Sequence, residues 1–325
     1  MNVREVVPRD AIPSIDDPAF AREFDGDPDE EVIVVEAEPA RAYPVRILDY
    51  HEVVNDVVDG EPRAITWCPL CGSAIVYGRS VDGRTLTFGV SGKLADDDLV
   101  LYDRETGSEW KQSSGVCIAG AFEGERLDAL PASVLSLGRF RREYPEGVVL
   151  QPPGGESEAA SANDAPATID YDAEPYRQYV ESEGFGLAVH RSTGGHGDGR
   201  TGSREWTRED LDPKDVVLGI EHGGRALGFP ATRVRAAGGV VETTVGGAPV
   251  VVFATAEGIY AFENPGYSFA PVEGDGEGGS FRADGTRWDG TTGRAADGRK
   301  LGRVPAKRLF AFAWQDDHGP DAFWS

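Results

Sequence analysis

VIVVEAEPARAYP, residues 32–44, decides the fold class of this chain. It opens on VIVVEA, a short β-branched run of strand type, and its plan returns at VVLGIEHGGRALGFP, residues 216–230. Each copy follows an Asp-Pro, at 27–28 and 212–213; Arg41-Ala42 answers Arg225-Ala226, and Pro44 answers Pro230. Further on, VVNDVVDGEPRAITW (53–67) matches VVETTVGGAPVVVFA (240–254). YDRETGSEWKQSSG (102–115) matches FRADGTRWDGTTG (281–293), with Trp110 opposite Trp288 and Gly115 opposite Gly293, and LPAS (130–133) matches VPAK (304–307).

The expected organisation is therefore an internal duplication: an N-terminal extension 1–27, a first repeat 28–150, a linker and connecting segment 151–211, and a second repeat 212–325. QPPGGESEAASANDAPATID (151–170) and RSTGGHGDGRTGSRE (191–205) have the Gly, Ser, Ala, Pro and acidic composition of linkers. Within the first half EVVNDVV, RAITW, SAIVYG, RTLTFGV and LVLYD read as strands. YDRETGSEW and RADGTRW read as hairpins through Thr-Gly and Asp-Gly. Proline at the head of PVRILDY, PASVLSLGRF, PATRVRAA and PAKRLFAFAW predicts short helices, because its missing N–H costs nothing there. The fold class is mainly β, at the margin of α+β: two related β-rich domains, each with short helices, closed either as barrel or as sandwich.

The 325 residues suffice for two domains, each with its own core. Fifty-six acidic against 32 basic residues give a formal net charge of -24, and only five of the basic residues are Lys. That balance suggests a halophile: at about 1 M salt the Debye length is about 3 Å, so such a surface is screened and stays hydrated. It argues against nucleic acid as a partner. No stretch approaches the roughly 20 apolar residues of a membrane span, and MNVREVVPRDAIPSIDDPAF lacks an apolar signal core. The expectation is a soluble, cytoplasmic protein, in which three cysteines serve as ligands, reactive thiols or buried small residues rather than as a disulfide framework.

Cys68-Pro69-Leu70-Cys71-Gly72 is a half-site for a metal or a redox disulfide. A tight turn of this type points both sulfurs at one ion, and the glycine permits positive φ. No second Cys-x-x-Cys exists, so a full ligand set would draw on Cys117, on His51 or on a second subunit. All three cysteines are absent from the second half, where Thr255–Gly258 stands for the dithiol and Ala295 for Cys117. Zinc, iron and copper all accept such ligands. The alternative is a thiol oxidoreductase, but GSAIVYGRS after the second Cys looks like a strand, so Arg104 or His51 would have to stabilise the thiolate. A third reading is a metal-free ligand-binding or interaction module for an unknown small molecule or protein, with a pocket around Arg104, Ser108 and Trp110.

The alternatives to a site role are plain. A lone His is more often a structural hydrogen bonder, the 103–108 turn could be a salt-bridged loop tip, and Trp110 and Trp288 read as core anchors. His190, His196, His222 and His318 have no metal-ligand spacing. VSGKL lacks the phosphate-loop pattern, and neither G-x-S-x-G, H-E-x-x-H nor an EF-hand loop is present.

In order along the chain, VPRDAIPSIDDPAF, RAYPVRILDYHEVVND, WCPLCGSAIVY, FGVSGKL, LVLYDRETGSEWKQ and GERLDALP resemble the domain-of-unknown-function 3179 family of bacteria and archaea. The resemblance implies a shared site rather than a reaction. In it the Cys-Pro-x-Cys segment, a His-Glu pair and an Asp-Arg-x-Thr-x-Ser-x-Trp run recur together. Here these fall on Cys68, Cys71, His51, Glu52, Asp103, Arg104, Thr106, Ser108 and Trp110.

Overall fold

A computed structural model describes residues 1–161, 165–193, 204–272, 274 and 279–325. Residues 194–203, with His196, lie outside the described residues, as does part of the 151–170 segment. The described residues form many short strands and six short α-helices, so the chain is mainly β. No helix among them is long and apolar enough to cross a membrane.

Both halves run through the same order of elements. Strands Glu31–Val35 and Arg41–Pro44, helix Val45–Leu48, then the meander Val53–Val58, Glu61–Cys68 and Ser73–Gly78 make up the first. Val216–His222, Arg225–Pro230, helix Ala231–Ala236, then Val240–Val245, Ala248–Thr255 and Gly258–Glu263 make up the second. Pro44 and Pro230 stand at the N-cap of the two helices in extended conformation, one residue before the first helical position where the proline was expected. The hairpins turn on two left-handed residues, among them Asp59-Gly60 in the first meander, Gly246-Gly247 in the second and Asp284-Gly285 in the RADGTRW hairpin. Such turns match the twist of the flanking strands.

PASVLSLGRF and PAKRLFAFAW differ from expectation, because the residues after each proline first form a strand. Ser133–Ser136 pairs with Glu31–Val35, and Lys307–Phe310 pairs with Val216–His222; helices Leu137–Glu143 and Ala311–His318 begin only afterwards. The alternation of buried and half-buried residues in SVLS satisfies a sheet edge before helix propensity can act.

These two strand-helix units join the halves. Lys307–Phe310 also meets Ser73–Gly78 (Arg308 opposite Ala74), so one sheet runs Arg225–Pro230, Val216–His222, Lys307–Phe310, Ser73–Gly78, Glu61–Cys68, Val53–Val58. The cores are exchanged in the same way. Leu309, Phe310, Phe312 and Trp314 pack with Trp110, Phe88 and Cys71, while Leu135, Leu137 and Phe140 pack with Trp288, Phe253 and Phe262. Two cores are thus shared between the halves, while two others lie one in each half, around Tyr43 and Val54 and around Phe229 and Val252.

The segments outside the two halves are also built in. Val3–Glu5 pairs with Phe88–Ala95, and Phe20–Ala21 with Val148–Leu150. The connecting segment between the two linker-like stretches supplies Tyr179, Phe185 and Leu187 to the core that holds the dithiol.

Candidate metal centre

Cys68 ends one strand and Ser73, its register partner, begins the next, so Pro69-Leu70-Cys71-Gly72 forms a four-residue turn. The corresponding pair in the second half, Thr255 and Gly258, encloses only Ala256 and Glu257. The dithiol thus sits on a loop two residues longer than its counterpart. The Cys71 N–H donates to the Cys68 carbonyl at 3.2 Å, and Gly72 adopts φ of +52°. Other parts of the chain hold the turn: the Phe310 N–H donates to the Cys71 carbonyl at 2.7 Å, and the Tyr179 hydroxyl donates to the Leu70 carbonyl at 2.7 Å.

Asp98 is the third member. It follows the left-handed pair Asp96-Asp97 and begins the strand Asp98–Asp103. Its ligand oxygen and the two sulfurs lie within 4.8 Å of one another, and all three residues are buried. Asp98 Oδ2 accepts from the Ser113 N–H at 2.8 Å; Oδ1 is buried without a hydrogen-bond partner among the described residues. Burial pushes the Asp98 carboxyl up to about 6, with Lys111 opposing and Asp317 adding to the rise. Burial, then the contact with Cys68, then the Asp98 charge push the Cys71 thiol well above its ordinary range. Its Sγ donates to the Asp97 carbonyl at 3.5 Å.

Behind Asp98 lies a buried ion pair that spans the halves. Lys111 Nζ stands 2.7 Å from Asp317 Oδ1, and the Ser113 hydroxyl donates to Asp317 Oδ2 at 2.6 Å. Burial disfavours the Lys111 charge, but Asp317 and Asp98 outweigh it and raise its pKa above the ordinary value. Asp289, which follows Trp288 as Lys111 follows Trp110, pairs with Arg139 of the helix Leu137–Glu143 at a more exposed position.

A cleft of about 390 Å³ opens beside the turn. Cys68 lines it, whereas Cys71 and Asp98 do not. One wall comes from the connecting segment through Glu158, Tyr176, Leu187 and His190, and another from Glu52 and Tyr50. Burial raises the Glu52 carboxyl to about 8, helped by the charges of Glu158, Asp49 and Asp98.

The remaining sequence candidates lie elsewhere. Cys117, opposite Trp110 in the sheet, turns its Sγ to the Ala119 carbonyl at 3.3 Å and is not in the dithiol group. His51 places Nδ1 2.8 Å from the Pro13 carbonyl and Nε2 2.7 Å from the Tyr171 hydroxyl, so both ring nitrogens are engaged away from the sulfurs; burial lowers its pKa. Asp103 accepts from the Thr106 N–H and hydroxyl with Oδ1 and from Trp110 Nε1 with Oδ2. Ser108 shares a 2.6 Å hydrogen bond with Thr106, closing the turn on itself. Arg104 binds Asp10, Asp16, Ser14 and the Tyr102 hydroxyl. None of Asp103, Arg104, Thr106, Ser108 and Trp110 lines the cleft beside Cys68; the run fastens a hairpin to the N-terminal segment.

Asp98, Lys111, Asp317 and the tyrosines 176 and 179 escape sequence reasoning. The one available signal for Asp98 is a carboxylate heading the apolar strand DLVLYD, where a half-buried strand would place an apolar residue.

The fold and site define a β-rich protein with a buried dithiol-carboxylate cluster at the edge of a cleft. The chain belongs to the family described as protein of unknown function (DUF3179), which matches residues 9–321. Comparison with curated proteins and with solved structures gives no match.

Proposed function

We propose that Cys68, Cys71 and Asp98 bind one transition metal ion, with a remaining position reached from the cleft. The observation that carries this reading is Asp98 Oδ1, a buried carboxylate oxygen with no hydrogen-bond partner among the described residues, beside two thiols. Such an oxygen costs about 1–3 kcal/mol unpaired, more when ionised, and a cation offsets that cost while favouring the thiolates. Two sulfurs and a carboxylate suit zinc or iron better than copper(I), which prefers an all-soft set. Cys117 and His51 are not part of this ligand set. In this reading the two halves are repeats of one ancestral unit, with units at 28–150 and 212–325. The shared element order and the exchanged strand-helix packing support it. The three free cysteines fit a reducing, cytoplasmic setting.

A second reading has its own support. Cys68 faces the cleft and Cys71 lies behind it, the asymmetry of an attacking and a resolving thiol, with Asp98 placed to take a proton.

Elemental analysis of the native protein, joined to cobalt(II) substitution, tests the first reading. One metal equivalent and a sulfur-to-cobalt charge-transfer band in wild type, both lost in Cys68→Ser and weakened in Asp98→Asn, are expected. Wild-type protein that takes up neither metal overturns it. Reversible loss of two thiols on mild oxidation of that metal-free protein then supports the redox reading.

A further inference from the structure

The cleft wall holds a second unsatisfied group, remote in sequence from the sulfurs. Glu52 follows the helix Val45–Leu48, its N–H donating to the Leu48 carbonyl at 2.7 Å, with φ of +57°. Glu52 thus lies three residues past the C-cap Asp49, and a residue with a Cβ costs about 1 kcal/mol at such a left-handed φ. A glutamate kept in such a conformation points to use of its side chain. Glu52 is 7% exposed and lines the cleft, and its Oε2 is buried with no hydrogen-bond partner among the described residues.

The surroundings favour a positive guest. Glu158, Asp49 and Asp98 all add negative charge at Glu52. Among the described residues two cations share the cleft wall: Lys93 spends its charge on Glu109, with Nζ 2.6 Å from Oε1, and Arg191 lies at the end of the connecting segment, so the acids outnumber them. Tyr50 and Tyr176 line the cleft, Tyr176 with one face stacked on His190 at 4.9 Å, and Ile12, Val90 and Leu99 give it an apolar lining. An ammonium supplies three N–H donors and a charge, and aromatic faces attract such cations.

We propose that this cleft binds a small organic cation, a primary ammonium on an apolar body, with the ammonium on Glu52 and the body against Tyr50 and Tyr176. The inference goes beyond metal binding and stands without it.

Titration calorimetry of the full chain with 2-phenylethylamine and with its uncharged counterpart 2-phenylethanol, at about pH 9, where the Glu52 carboxyl is ionised and the amine still mostly protonated, tests it. Salt at about 1 M screens the acidic surface, so binding that survives is that of the cleft. Wild type is expected to bind one equivalent of the amine at least about tenfold tighter than the alcohol. Glu52→Gln should erase that ratio with a thermal midpoint at or above wild type, and Glu52→Asp should keep part of it. Equal or tighter binding of the alcohol, amine binding indifferent to Glu52→Gln, or binding of neither probe overturns the proposal. Cys68→Ser separates the two ideas: it should lose metal and keep the amine, and metal failure in wild type leaves the amine result to stand or fall alone.

Discussion

Gly72 lies against the ring of Phe310, so closely that a methyl group on its Cα would stand 2.7 Å from ring carbons. The contact joins the dithiol turn of the first half to the last strand of the second. Gly72 also needs its left-handed φ. Gly72→Ala is therefore expected to cost about 2–4 kcal/mol and to expose both thiols to a modifying reagent. Urea unfolding and thiol titration check this; a loss under about 0.5 kcal/mol would show that the turn tolerates the methyl.

Asp317→Asn should be costly for a different reason. It leaves the Lys111 ammonium, 5% exposed, without its main partner, at a penalty of about 3 kcal/mol. A joint Lys111→Met, Asp317→Leu replacement should recover most of that loss, since two apolar side chains leave no charge unpaired. Urea midpoints of the single and double variants decide the matter.

Glu221 sets an acid limit on stability. Burial alone would raise its pKa, but the contact with His318, whose Nε2 stands 3.3 Å from Oε1, and the Lys307 charge outweigh it and hold the carboxyl down to about 2. Its folded pKa thus lies below the unfolded value of about 4.3, so its contribution is complete above that pH and is lost as pH falls toward 2. Glu221→Gln should cost about 1–3 kcal/mol near neutral pH, and its deficit against wild type should shrink between about pH 4.3 and 2. Unfolding free energies measured across that range check the slope.

Glu52 carries the opposite sign. Its carboxyl ionises near 4.3 in the unfolded chain and at about 8 in the fold, so stability declines as pH rises between the two. Glu52→Gln should therefore stabilise the protein by about 1–3 kcal/mol at mildly alkaline pH and by little at acid pH. A destabilised Gln variant at both pH values would mean that the carboxyl is a structural hydrogen bonder.

Cys117→Ala should leave the metal equivalents unchanged, whereas Cys71→Ala should abolish them. His51→Ala should lower stability by about 1–2 kcal/mol through loss of the Pro13 and Tyr171 contacts, with metal retained. Metal loss in the Cys117 or His51 variant would restore those residues to the ligand set.

The strand content and most turns were legible because they depend on neighbours in sequence: β-branched runs and pairs such as Asp284-Gly285 act locally. The Cys68–Cys71 half-site was legible for the same reason. Asp98 was not, because a carboxylate beside a thiol pair is decided by tertiary register, here by a hairpin that brings residue 98 to residue 71. Cys117 and His51 were natural candidates on composition, yet strand pairing with Trp110 and the Pro13 carbonyl claim them first. The stretch 171–190 between the two linker-like segments shows no pattern of its own because its few aromatics are diluted in polar sequence, yet Tyr179 fastens it to Leu70. Nothing in either half's sequence announces that the strands at 133–136 and 307–310 would precede their helices and seat in the opposite core.

The hydrogen bond from Phe310 to Cys71 has a consequence for biosynthesis. During synthesis the dithiol turn emerges well before the strand that closes over it. The thiols and Asp98 therefore wait, unsealed, until residues 307–310 have been made and paired. A chain that stops short of Lys307–Phe310 leaves the turn without its cover.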